Sequence, residues 1–397
     1  MNRYISLLPY WFLNFTIGFG WFTLSPILPD LSTHYAVGAA SILLLISLYG
    51  YTMVAFALLS GYLSAKYSIR ISLMISASLS VAGLIIRSVS PDYAVLFLGQ
   101  IIAASAYPLA LGPVGALAQS INRERANTVV GVSVGILFLG MSAGALLTPY
   151  FFALLKDSIS GIFLLDAVLA MAALVILPLG SRTYPREYAG RSLRGSFRPG
   201  MIKNWYVGLI ISAFSVMFGG IASSALINHH VSTSSALAYG GAMSGLAFLG
   251  SALGAIILPP LFERIRMIRA GMVITSALSL VSILFLTYFL AFTSVISVLL
   301  VSFFMFGFFG NAFWSMAMTS TTRYVEDPAK AGFSTSMYSV ATNLGVALIP
   351  TFFGTFFLAS PAYGMIITSV LVAAAFILSF FLIAGRMASR SPEMTAG

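Results

Sequence analysis

Apolar residues fall along this chain in twelve runs, at 5–29, 41–64, 71–90, 93–119, 127–151, 159–180, 204–227, 236–260, 270–290, 294–319, 332–358 and 362–385. A helix crosses the hydrocarbon core of a bilayer with about 20 apolar residues, and each run supplies that length. The polar stretches between runs are short, and none has room for a sizeable soluble domain. The pattern predicts an all-α membrane protein with twelve transmembrane helices. The first run follows a single Arg and has no small-residue cleavage pattern, so it reads as the first membrane helix and not as a signal peptide.

Charge sets the orientation. Charged residues are 8% of the chain, against roughly 25% in a soluble domain. With a cytoplasmic N-terminus, 18 of the 20 basic residues lie on the inner side. They are Arg3; Lys66 and Arg70; Arg123 and Arg125; Arg182, Arg186, Arg191, Arg194, Arg198 and Lys203; Arg264, Arg266 and Arg269; Arg323 and Lys330; Arg386 and Arg390. Arg87 and Lys156 fall on the outer half. The positive-inside rule then predicts a multi-pass protein of the plasma membrane with both termini cytoplasmic. The net charge of +10 is a topological signal and not a nucleic-acid footprint. The basic loops face anionic lipid headgroups.

Composition also excludes chemistry. The chain has no cysteine, so disulfides, thiol catalysis and thiolate metal sites are ruled out. His34, His229 and His230 all lie near the outer surface, and no paired-carboxylate metal motif occurs. No enzyme, cofactor or metal site is expected. The expected partners are a small-molecule substrate and membrane lipids, and the chain can act as a monomer.

The longest inner loop, 181–203, is rich in Arg, Ser, Gly and Pro and reads as a flexible linker. It divides the chain into a six-helix bundle at 1–180 and a second at 204–397 with a short cytoplasmic tail. The halves repeat. Aligning Phe15 with Phe214 puts Gly20 on Gly219, Ser25 on Ser224 and Asp30 on His229, an offset of 199. Leu63 falls on Leu261 at an offset of 198, and Gly144-Ala-Leu-Leu-Thr-Pro149 on Gly345-Val-Ala-Leu-Ile-Pro350 at 201. Six-helix halves in parallel repeat, related by an axis along the membrane normal, are how one large class of secondary transporters is built.

The stretch between the second and third helices, GYLSAKYSIR, resembles the Gly-x-Leu-x-Asp-Arg-x-Gly-Arg-Arg motif of the major facilitator superfamily. Gly61, Leu63, Lys66 and Arg70 match in kind, while Ala65 replaces the Asp and Ser68 the second Gly. The second copy, PPLFERIRMIR, keeps the acid–base pair as Glu263-Arg264. In the family the acid contacts a neighbouring helix end and holds the inner gate. Ala65 therefore implies either a looser gate in the first half or Glu263 carrying it alone. A narrower resemblance runs over AGLIIRSVSPDY, LGQIIAASAYPLALGP, RERAN and GALLTP. It points to the heme- and choline-transporter branch and to the bacterial cyanate and nitroimidazole permease branch, without settling the substrate.

The resemblance implies a secondary transporter working by alternating access, with helices 1, 4, 7 and 10 around a central cavity. A lipid flippase or a non-transporting scaffold on the same fold is the alternative. The candidate substrate contacts are Asn14, Trp21, Gln100, Tyr107, Asn311, Trp314, Tyr338 and Asn343. Such polar groups either meet a ligand or make interhelical hydrogen bonds, worth under about 1–2 kcal/mol each. Candidate gate or coupling residues are Asp30, Arg87, Asp166, His229, His230, Glu263 and Arg264. No carboxylate sits at mid-depth on a cavity-lining helix. Asp30 and His229, equivalent by the repeat, are expected to close over the cavity in the inward-facing state. Pro108 should kink helix 4, and Pro149 and Pro350 should kink or end helices 5 and 11.

Overall fold

The computed structural model describes residues 4–184, 192–292, 295–325 and 327–384. The linker stretch 185–191, the tail from 385 and the basic residues Arg3, Arg186, Arg191, Arg386 and Arg390 lie outside the described residues. The helices are α1 (Leu8–Phe22), α2 (Leu28–His34), α3 (Ala39–Lys66), α4 (Ile69–Ser88), α5 (Tyr93–Ala104), α6 (Ala106–Leu111), α7 (Val114–Asn122), α8 (Ala126–Leu154) and α9 (Ile159–Ser181). They continue as α10 (Ile202–Asn228), α11 (Thr233–Arg264), α12 (Ile268–Phe292), α13 (Ile296–Thr321), α14 (Pro328–Ala359) and α15 (Pro361–Ser379).

These make twelve crossings. The first is α1 with α2 and the fourth is α5, α6 and α7 in line, while each other crossing is one helix. Short polar side chains in the connecting turns start many of them by accepting an orphan backbone N–H. Ser68 caps α4 through Ile71, Asp92 caps α5 through Val95, Ser158 caps α9 through Gly161 and Asp327 caps α14 through Ala329.

Two crossings differ from the uninterrupted runs of the sequence. The first breaks at Thr23–Ile27, where Pro26 supplies no N–H and Pro29 opens α2. The fourth breaks twice, after Ala104 and after Leu111, on either side of the kink expected at Pro108. Pro149 does not end its helix: α8 runs on to Leu154. α14 likewise continues past position 350 to Ala359.

The packing repeats as the sequence does. In the first half α1 packs on α8 and α9, and α4 on α5 and α9; in the second α10 packs on α14 and α15, and α12 on α13 and α15. Across the halves α8 packs on α11, and α3 on α14, two contacts exchanged by the same repeat. Glycines let backbones touch inside each half. A Cβ on Gly140 would overlap the Phe15 carbonyl of α1, and one on Gly254 the Phe308 carbonyl of α13. Apolar side chains point outward from α4, α9, α12 and α15, among them Ile85, Val168, Val175, Leu284, Phe285 and Val370. Such surfaces suit contact with acyl chains and not with water.

Candidate functional site

Three polar constellations interrupt the apolar interior. The first sits where the halves meet. Trp21 of α1 stacks on Tyr49 of α3 with ring centroids 4.6 Å apart and planes 8° off parallel. Tyr107 of α6 lies 5.2 Å from Trp21. The Trp21 indole donates to the Ile46 carbonyl at 2.7 Å, which fixes its ring. The Tyr107 hydroxyl faces the Asn343 amide of α14, on the opposite half. Asn343 in turn donates to Ser339 O at 2.9 Å. One turn away, Tyr338 packs edge-on to Trp314 at 5.4 Å and donates to its carbonyl at 3.0 Å. The Trp314 indole donates to Thr342 Oγ1 at 3.2 Å. Phe22 meets Phe248 across the halves at 4.5 Å beside this group.

The structure therefore gathers Trp21, Tyr107 and Asn343 across the two halves and places Trp314 with Tyr338 on the second. Asn14 and Asn311 take interhelical positions instead: Asn14 donates to Ser133 O at 3.2 Å and Asn311 to Ser251 O at 3.0 Å. Sequence reasoning missed Tyr49, Phe248 and Thr342. They lie on α3, α11 and α14, helices that flank the expected cavity. In the fold Asn343 Oδ1 comes within 3.8 Å of a Cβ built on Gly50, next to Tyr49, a neighbourhood that no motif in the sequence marks.

The second constellation closes the end that carries the basic loops. Gly115 N donates to Thr335 Oγ1 at 3.3 Å, Ser336 Oγ to Gly112 O at 3.2 Å and Gln119 Nε2 to Thr322 O at 3.2 Å, all between halves. Glu263 crosses as well. Its Oε1 accepts from the Asn127 N–H and Nδ2, both at 3.0 Å, and its Oε2 from the Thr128 N–H at 2.9 Å and Oγ1 at 2.6 Å. These N–H groups belong to the first turn of α8, which has no intrahelical acceptor for them. A carboxylate there also complements the helix dipole. Position 65 of the first copy offers a buried Ala, and α14 is capped by its own Asp327. Of the two motif copies, the second therefore supplies the acid at a helix start, through Glu263, while Arg264 is exposed. A cavity of about 740 Å³ opens beside it, lined by Glu124, Arg266, Arg269 and Arg323 among others. None of the aromatic–amide residues lines that cavity.

The opposite end carries no matching closure by the predicted pair. Asp30 and His230 are exposed, and His229 is within 3.2 Å of Leu290 O of its own half.

The third constellation is charged and fully buried. Arg87 of α4 and Asp166 of α9 form an ion pair with both side chains 0% exposed. Arg87 Nη1 donates to Gly20 O at 2.9 Å and to Gln100 Oε1 at 3.0 Å, and Nη2 to Thr23 Oγ1 at 3.3 Å. The Thr23 hydroxyl lies 2.9 Å from Asp166 Oδ2. Gln100 closes the set by donating to Leu45 O at 3.1 Å. A charge in a low-dielectric interior is tolerated when paired and hydrogen-bonded, and this one is both.

Comparison with known proteins agrees with this architecture. The family model for the Major Facilitator Superfamily matches residues 10–288. Among solved structures, the superfamily transporter FucP in its outward conformation is similar at TM-score 0.69 and 12% identity, covering 95% of this chain and 99% of that one. The E. coli fucose:proton symporter FucP is similar at TM-score 0.70 and 12% identity, over 96% and 99% of the two chains. A bacterial homologue of the iron transporter ferroportin in its outward-facing state is similar at TM-score 0.73 and 13% identity, again over 96% and 99%. No curated protein matches the chain in sequence. Twelve apolar helical crossings, a repeated packing scheme and a family match over most of the length describe an integral multi-pass membrane protein, and the chain belongs to the major facilitator superfamily.

Proposed function

We propose that this protein is a secondary transporter that moves a small organic solute, uncharged or singly charged, by alternating access. The reading rests on the aromatic–amide cluster in which Tyr107 of one half faces Asn343 of the other. A group shared by both halves at mid-membrane changes its contacts when the halves rock, as alternating access requires. Its stacked Trp21, Tyr49 and Tyr107 rings offer flat apolar surface, and the Asn343 amide offers a donor and an acceptor. The buried charges nearby already neutralise each other, so a doubly charged solute finds no counter-charge there. Closure by Glu263, Gln119, Thr335 and Ser336 at the basic end supports an outward-facing state.

In this reading the protein lies in the plasma membrane with its basic loops cytoplasmic, works as a monomer, and divides into bundles at 1–180 and 204–397 joined by 181–203. Asp30 approaches His229 when the outer side closes. The similarity to a fucose:proton symporter supports carriage of a small solute rather than lipid flipping. The experiment is uptake into proteoliposomes from a panel of small solutes, with Tyr107→Phe and Asn343→Leu as variants. Both should weaken uptake at least several-fold while the melting temperature stays near that of the parent. Unchanged uptake in both removes the cluster from the solute path. High-affinity transport of a dicarboxylate or a polyamine refutes the charge argument.

A further inference from the structure

The buried arginine network contains a second kind of site. At the break at Thr23–Ile27 the last carbonyls of α1 divide: Phe19 and Phe22 accept the N–H groups of Thr23 and Ser25, and Gly20 accepts side chains, the Thr23 hydroxyl among them at 3.2 Å. Gly20 O also turns toward Arg87. Three more oxygens converge on the same guanidinium: Thr23 Oγ1 from the break, Gln100 Oε1 from α5 and Asp166 Oδ2 from α9. A backbone carbonyl at a helix break, a hydroxyl, an amide oxygen and a carboxylate form a hard-oxygen set of net charge −1. Broken helices in transporters hold small monovalent cations with such groups. Phe163 covers the far side, 4.5 Å from the guanidinium carbon. Asp166 Oδ1 is buried and has no hydrogen-bond partner, so the carboxylate keeps acceptor capacity that the guanidinium does not use.

We infer that Arg87 is a built-in cation: it permanently fills an oxygen cage of the sodium-binding type, so this site needs no coupling ion and takes one only when the side chain is removed. An arginine stays protonated in a protein and is covalently tethered. The break in the first crossing is therefore held in the same way at every ion composition. Trp21 follows Gly20 directly, so the cage also holds one wall of the proposed solute cluster. The ion-independence of transport rests on the transporter reading; the cation cage does not.

The test melts purified wild type, Arg87→Ala and Arg87→Ala/Asp166→Asn in sodium, potassium and N-methylglucamine chloride at equal ionic strength. Wild type should melt alike in all three. Arg87→Ala should melt lower in N-methylglucamine and recover by several degrees, saturably, with sodium or with methylguanidinium. The double variant should not respond. A flat Arg87→Ala response, or an equal response in the double variant, overturns the inference. If Arg87→Ala does not fold, Arg87→Lys and Arg87→Met decide it: Lys keeps a tethered cation and should melt well above Met, and equal melting overturns the charge-based account. Wild-type uptake should be unchanged when sodium is replaced, and a loss overturns the ion-independence. Absence of uptake in every salt counts against the transporter reading and leaves the melting results standing.

Discussion

Replacing Glu263 by Gln should open the basic end of the molecule. The carboxylate accepts four hydrogen bonds from Asn127 and Thr128. A Gln side chain has one acceptor oxygen and one NH2 group, so it keeps two of the four and points its amide N–H groups at two donors. Bonds to a charged acceptor are worth about 1.5–3 kcal/mol each when buried, and this site is partly open, which places each near the lower bound. The lost charge at the start of α8 adds about 0.3–1 kcal/mol. The sum is roughly 3.3–4 kcal/mol, or roughly 200- to 700-fold in an equilibrium constant. Donors and acceptor belong to opposite halves, so that energy acts on the closed-to-open equilibrium at this end. Spin labels on Arg125→Cys and Ile265→Cys, both exposed positions, report the separation by pulsed electron resonance. The Gln variant should gain a population at longer distance, and Glu263→Asp, which keeps the charge on a shorter arm, should fall between. An unchanged distance distribution in the Gln variant refutes the argument that this carboxylate holds the closure.

Two further outcomes test the packing and the topology. Gly254→Ala, whose Cβ would overlap the Phe308 carbonyl, should force α11 from α13 and lower the melting temperature sharply, whereas Gly241→Ala meets nothing within 4 Å and should be neutral or stabilising by up to about 1 kcal/mol. Cysteines at Ser192 and Lys156 should react with an impermeant maleimide from opposite sides of the membrane, and labelling from the same side refutes the orientation.

The crossings were legible because length and apolarity are properties of a single segment. The break in the first crossing was not, because Pro26 and Pro29 stand among apolar neighbours that extend the run unchanged. Pro149 removes one N–H from α8 without ending it, since a membrane offers no water to reward a helix end there. Glu263 was readable from the motif repeat, and with it the alternative that it acts alone. Arg87 and Asp166 were each visible as isolated charges near the outer ends of two helices. Their pairing spans 79 positions and belongs to the way α4 and α9 pack, which no periodicity along either helix records. Asn14 and Asn311 were chosen because an amide in an apolar run needs a partner; the sequence does not say whether that partner is a solute or a carbonyl on the next helix. Tyr49 was not read as a site residue although Tyr338 and Asn343 on another flanking helix were, because only the tertiary fold turns it onto Trp21.

The fourth crossing is a jointed rod and not a beam. Its segment α5 is bound into the arginine network through Gln100, while α7 carries Gly115 and Gln119 into the closure at the basic end. The two breaks on either side of α6 separate these two attachments. Tyr107 sits on the middle segment, so one crossing joins the aromatic cluster both to the buried charges and to the closure at the basic end.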